Sequence, residues 1–240
     1  MDTFTLAKKL GLVKIITIER DLNDKIAKQP FDYIFVLDFE ATCWDKQDVN
    51  KRPCEIIEFS VVLYSVLQNK ILQSFQQYVM PIESPKLSDF CTNFTNITQQ
   101  QVDNGVPLGT CLMLFTKWLN EQIRNYKVSV SGSINGCNSH RAVFATWSDW
   151  DLQTCLPNEC KRKRIKKPDF FNSWIDVRLL YREHYCRRPK GLNGALTEIG
   201  LSFTGIEHCG LDDACNTAKL VGQMINDGVL LRVTKDLSLY

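Results

Sequence analysis

The run Tyr33 to Leu37, "YIFVL", narrows the possible folds more than any other stretch of the chain. Successive apolar side chains without polar alternation suit a strand covered on both faces, which requires helical layers on either side of a sheet. The run leads directly into acids, in "VLDFEATCWD". Alternate side chains of a strand share a face, so Asp38 and Glu40 point the same way, roughly 6.5 to 7 Å apart along the backbone. Burying a carboxylate without a partner is costly, so a donor, a cation or a metal is expected beside the pair. Oxygen-only ligands favour a hard ion such as magnesium or manganese over zinc.

Further strands are expected at Ile56 to Leu67 and Ile71 to Met80, joined by a turn at Gln68-Asn69, so that the first three strands form a meander. The apolar spacing of Leu112, Phe115, Trp118, Leu119 and Ile123 predicts a helix over Leu108 to Arg124. Val128 to Val130 and Val143 to Ala145 read as strands around a polar loop at 131–141, and a helix is expected to start near Trp150. Helical periodicity returns at Ile175 to Tyr185, Leu192 to Ile199 and Ala214 to Ile225, the last closed by Gly228. The pattern predicts one α/β domain over residues 31–240, preceded by an N-terminal appendage at 1–30.

No stretch of the 240 residues reaches the roughly 18 to 20 apolar residues of a membrane span. The N-terminus lacks a signal-peptide core, so an intracellular protein, cytoplasmic or nuclear or both, is expected without membrane partners. The ten cysteines sit mostly alone in apolar or mixed segments, as at Cys54, Cys91, Cys111 and Cys137, and read as free thiols. The short CxxC spacing of a structural zinc site is missing. Net charge is only +2, yet Lys161, Arg162, Lys163, Arg164, Lys166 and Lys167 form one basic run and Arg187, Arg188 and Lys190 another. The rest of the chain is therefore acidic, at −7 without those nine residues. The 161–167 run reads best as a phosphate-contacting rim, and a nuclear-import signal is compatible with it.

Two further stretches carry chemistry. In "HCGLDDACNTAKLVGQMI", Asp212 and Asp213 suit the positive end of a helix dipole, and His208 lies in the loop before it. Read blandly, the acids merely start a helix. A loop histidine five positions before a helix-borne ligand can instead lean over a metal and take a proton from water. In "TWSDWDLQTC", both Asp149 and Asp151 are candidate acids.

The order of these pieces resembles the DEDDh branch of the DnaQ-like 3′-to-5′ exonucleases. Through "DFEATCW", "EIIEF", "LSDFC", "QVDNGVPL", "WDL", "NSWIDVR" and "HCGLDDACNTA" the chain resembles the ERI-type exoribonucleases of that branch, over about residues 31 to 235. The resemblance implies an RNase H-like fold with a mixed central sheet flanked by helices, and a two-metal phosphodiesterase. On it, Asp38, Glu40, Asp151 and Asp213 ligate two Mg²⁺ ions, with Mn²⁺ able to substitute, and His208 is the general base. Asp151 is preferred to Asp149 because the family motif reads Trp-Asp-Leu or Trp-Asp-Met. The implied partner is single-stranded nucleic acid, RNA ahead of DNA, with a DNA-preferring exonuclease as the alternative because the fold serves both.

Such a substrate is held by stacking and phosphate contacts. Trp44, Phe90, Trp147 and Trp150 flank the acidic motifs; Phe90 and above all Trp150 are expected to stack on bases, while Trp147 also suits the core. Ala41 and Thr42 are expected to offer backbone N–H groups to the terminal nucleotide. Where the family usually has Leu-Thr-Gly-Ile, this chain has Phe94-Thr95-Asn96-Ile97, and asparagine tolerates the positive φ that the turn needs. An inert nucleic-acid-binding module on the same fold is a further alternative from another class, but binding alone gains nothing from clustered acids that repel phosphate.

Overall fold

The computed structural model describes residues 24–47, 52–130 and 140–239. The meander forms as expected, with β1 (Tyr33–Ala41), β2 (Ile56–Ser65) and β3 (Lys70–Tyr78) antiparallel in turn. Asn69 turns the β2–β3 hairpin at φ 49°. Two short helices, α1 (Asp89–Thr95) and α2 (Gln99–Asp103), precede the long α3 (Leu108–Tyr126). Then follow β4 (Val128–Val130) and β5 (His140–Thr146), a π-helical turn at Trp150–Cys155 and α4 (Leu156–Lys163). The chain closes with β6 (Ser173–Asp176), α5 (Val177–Tyr185), α6 (Gly191–Glu198), α7 (Gly210–Asn226) and β7 (Lys235–Asp236).

The sheet order is β3-β2-β1-β5-β6-β7, with β4 also paired to β5. β5 lies parallel to β1, β4 and β6, so the sheet is mixed. The alternation along β1 assigns its two faces. Phe35, Leu37 and Phe39 join the core under α3 and α4, whose centre is the aromatic group Phe59, Phe115, Phe144 and Phe171. Ile34 and Val36 face the opposite core, built with α5, α6 and α7. Asp38 and Glu40 continue that second face, on which α7 lies.

One expectation needs correction, and a second is met with an unexpected helix type. The helical pattern at Ile175 to Tyr185 divides: Ser173–Asp176 is a buried strand pairing with β5, and helix begins only at Val177. Asp176 makes the break by accepting the Leu179 N–H at 2.9 Å as an N-cap. A short apolar run has no period of its own, so strand pairing decided it. The expected helix near Trp150 begins as a π turn, with Leu156 N–H donating to Asp151 O. Pro157, one residue on, has no N–H to continue an ordinary ladder.

Residues 1–23 of the expected N-terminal appendage lie outside the described residues. The described end of it is tied to the domain: Ile26 packs on the second core, and the Gln29 side chain bonds Val229 O at 2.9 Å and Leu231 N–H at 3.0 Å. Of the polar loop at 131–141, residues 131–139 are outside the description, while His140 and Arg141 belong to β5. Among the described residues no helix is long and apolar enough to cross a membrane.

The basic run at 161–167 is partly structural. The Lys163 ammonium lies 2.7 Å from Glu55 and 2.5 Å from Glu159, with its side chain only 6% exposed. Glu55 also accepts the N–H groups of Ile82, Glu83 and Ser84, and Glu159 accepts that of Ile56. This buried cluster ties α4 to the start of β2. Removing one partner strands two buried carboxylates, so Lys163→Met should cost about 3 kcal/mol. Urea unfolding of the variant checks this, and a loss below about 1 kcal/mol would contradict the account.

Candidate active site

The parallel pairing of β1 and β5 decides where the acids meet. Val36 pairs with Ala145, so the chain leaving β5 turns over the carboxyl end of β1 beside Asp38 and Glu40. There the Asp151 Oδ1 accepts the Phe39 N–H at 3.0 Å, between the two strand acids. Asp213 arrives from the first turn of α7, and its Oδ2 accepts the His208 N–H at 2.8 Å. That bond holds His208 at φ 63°, a left-handed conformation rare for a residue with a side chain. Asp38, Glu40, Asp151, Asp213 and His208 all line one cavity of 520 Å³. Within it, ligand atoms of Glu40, His208 and Asp213 lie within 4.8 Å of one another.

The electrostatics are those of acids crowded without an answering cation. Burial, and then the charges of Asp151, Glu40, Asp213 and Glu58, push the Asp38 carboxyl well above the usual carboxylate range. Burial followed by Asp213, Glu58 and Asp151 raises Glu40 to about 9. Asp151 and Asp213 each rise to about 7, burial again leading, while the Phe39 and His208 N–H bonds pull them down. Apart from Lys190, no lysine or arginine lines the cavity among the described residues. An all-oxygen donor set whose members repel one another fits divalent cations. Burial lowers the His208 imidazole below its ordinary value, with Glu207 opposing, so near neutral pH the ring can accept a proton.

Asp149 is turned elsewhere. It accepts the Trp174 indole N–H at 3.0 Å and lies 3.5 Å from Lys235. The aromatic candidates separate as well. Trp150 lines the cavity and is 40% exposed; Trp147 lines it half-buried, edge-on to Tyr181. Phe90 is exposed on α1 and stacks on Phe94, and Trp44 is half-buried; neither lines the cavity. The expected N–H contact from Thr42 does not stand: its N–H donates to Glu55 O at 2.8 Å, and its hydroxyl accepts the Glu55 N–H. Ala41 is buried where β1 ends, beside the irregularity in its pairing with β2. The 161–167 run contributes nothing to the cavity lining, and the basic residue there is Lys190, from the second run. Asn96 does adopt a positive φ, 58°, so the turn after Phe94 survives without glycine.

Sequence reading missed the residues that position the others. Glu58, opposite Glu40 on β2, is buried and accepts the Gly210 N–H at 3.1 Å and the Leu211 N–H at 3.3 Å. It thus anchors the amino end of α7 against the sheet, with Ser60 and Gln76 completing its hydrogen bonds. Glycine at 210 suits this close approach: a Cβ there would sit a tight 3.3 Å from Asp38 O and from the Glu58 carboxyl carbon, and those neighbours would have to give way slightly. Asp212 and Asn216 clasp the histidine loop: Asp212 accepts the Ile206 N–H, and Asn216 bonds both N–H and O of Thr204. An acid interrupting the apolar strand "IIEFSVV" was the available signal for Glu58. Nothing in the sequence marks Asn216.

Acids gathered at the carboxyl end of a mixed sheet, with a histidine on the loop before α7, fit the class of DEDDh-type nuclease domains. The exonuclease family RNase T matches residues 35–221. The chain is 45% identical over 224 residues to the 3′-5′ exonuclease Snipper of Drosophila melanogaster, covering 91% of this chain and 78% of that protein. It is 46% identical to ERI1 exoribonuclease 2 of Xenopus laevis over 99% of this chain, though that spans only 35% of the frog protein. Among solved structures, the nuclease domain of 3′hExo, a DEDDh family member bound to rAMP, superposes with a TM-score of 0.76 at 33% identity, covering 86% of this chain and 98% of that one. The chain belongs to this exonuclease family, with the ERI1 exoribonucleases among its relatives. Membership implies divalent metal ions, and the donor set fits them.

The raised carboxyl groups make stability depend on pH. In the fold they keep protons that the unfolded chain gives up near pH 4, so the metal-free protein loses stability as pH rises from about 4 towards 7 to 9. Bound divalent ions favour the ionised forms and oppose that loss. In EDTA, the melting temperature of the protein relative to Glu40→Gln should therefore fall between about pH 5 and about pH 8, and Mg²⁺ should raise it more at the higher pH. A wild-type advantage that grows with pH in EDTA would refute this picture of the site.

Proposed function

We propose that this chain is a metal-dependent 3′-to-5′ exonuclease that releases 5′-nucleotides from single-stranded nucleic acid, with RNA preferred to DNA. The observation that carries the proposal is the convergence of Asp38, Glu40, Asp151, Asp213 and His208 on one open cavity. The four carboxylates would hold two Mg²⁺ ions, with Mn²⁺ able to replace them. When bound, such ions supply charge stabilisation at the scissile phosphate and make water a better nucleophile. His208, neutral and placed on the cavity wall, takes the proton of the attacking water. Asp213 does double duty, since its second oxygen keeps the histidine loop in place. Trp150 and Phe90, each 40% exposed, offer faces for base stacking, and Lys190 meets a phosphate at the rim.

The nuclease unit is taken as residues 31–240, with 24–30 packed onto it. RNA is favoured by the relative named ERI1 exoribonuclease 2 and by the rAMP-bound neighbour, whereas Snipper is named only as a 3′-5′ exonuclease. The inert-module alternative is disfavoured by the complete set of acids and histidine, which phosphate binding alone does not require.

The test uses matched 5′-labelled RNA and DNA oligonucleotides with Mg²⁺. RNA should shorten one nucleotide at a time from its 3′ end, DNA more slowly. Asp213→Ala should reduce the rate by about 100-fold or more. Equal shortening by wild type and variant would remove the catalytic assignment, and faster loss of DNA would reverse the substrate preference.

A further inference from the structure

A general base must be oriented as well as neutral, and most catalytic histidines are oriented by a hydrogen bond to one ring nitrogen. Among the described residues, none bonds either ring nitrogen of His208; the one bond that places this residue uses its backbone N–H. Its ring instead lies face to face with Phe94, with centroids 3.9 Å apart and planes 27° apart. Phe90 extends the stack on α1, 5.6 Å from Phe94 and within 10° of parallel. The three rings form a short ladder from the exposed surface of α1 to the cavity. Phe94 falls where the resembled family usually has leucine, whose side chain has no flat face to present to an imidazole.

We propose that Phe94 is a positioning residue that sets the ring orientation of His208 by stacking, in place of a hydrogen-bonded orienting group. The proposal rests on the reading of His208 as the base. The backbone bond to Asp213 fixes where the loop stands, but leaves the ring free to turn about its side-chain bonds. Contact with a flat aromatic face at van der Waals distance removes that freedom. Phe94 is itself 43% exposed, so replacing it leaves the core intact.

The test compares Phe94→Leu and Phe94→Tyr with wild type, and uses two readouts. The chain has three histidines, and His208→Asn assigns the His208 imidazole signals in a proton NMR spectrum. Those signals should move when Phe94→Leu removes the ring current and stay nearly in place in Phe94→Tyr. In the exonuclease assay, Phe94→Leu should lower kcat by about 10-fold or more with KM changed by less than about 2-fold, and Phe94→Tyr should restore it. If the signals do not respond to Phe94→Leu, or if they move while kcat is unaffected, the proposal is overturned. Full activity in His208→Asn would instead overturn the reading of His208 as the base, a separate and distinguishable result.

Discussion

Mutual repulsion among buried and half-buried acids is the constraint around which this structure is organised. Asp38, Glu40, Asp151 and Asp213 come from two strand positions, a π turn and a helix, and all face one cavity. None forms an ion pair with a lysine or arginine among the described residues, and burial first, then the charges of their neighbours, raises each of them. A fold tolerates this only if its remaining contacts hold the acids in place against their own field, and if a cation from outside completes the charge balance.

The same chain shows two other ways of burying acids. Glu55 and Glu159 share the Lys163 ammonium and receive backbone N–H bonds, so their charge is answered within the protein. Glu58 receives the N–H groups at the positive end of α7, where the helix dipole favours an anion. These satisfied acids are structural, and they flank the unsatisfied set. Lys163 pins α4, which continues from the turn bearing Asp151; Glu58 pins α7, which bears Asp213. The acids of the candidate site are thus flanked by neighbours that have partners within the protein.

The site is clamped on the side of the histidine loop by the same economy. Asp212, Asp213 and Asn216, within little more than one turn of α7, bind the backbone of residues 204–208. The loop carries its histidine in a left-handed conformation that short-range preferences disfavour. Stacking of Phe94 on the His208 ring then joins α1 to the same arrangement.

Local sequence was sufficient wherever a short-range rule governed. The unbroken apolar run at Tyr33–Leu37 determined a two-sided central strand, the alternation beyond it placed Asp38 and Glu40 on one face, and Asn96 announced a turn with positive φ. Family likeness added the pairing of distant acids, including the choice of Asp151 over Asp149. What only the tertiary structure decided was everything set by long-range packing. The commitment of Thr42 to Glu55, the burial of Lys163 inside a run that reads as a phosphate-binding rim, the strand at Ser173–Asp176 and the anchoring roles of Glu58 and Asn216 all depend on partners far away in sequence. Hydrogen-bond and ion-pair partners are chosen by proximity after folding, and a residue's type does not say which neighbour it will meet.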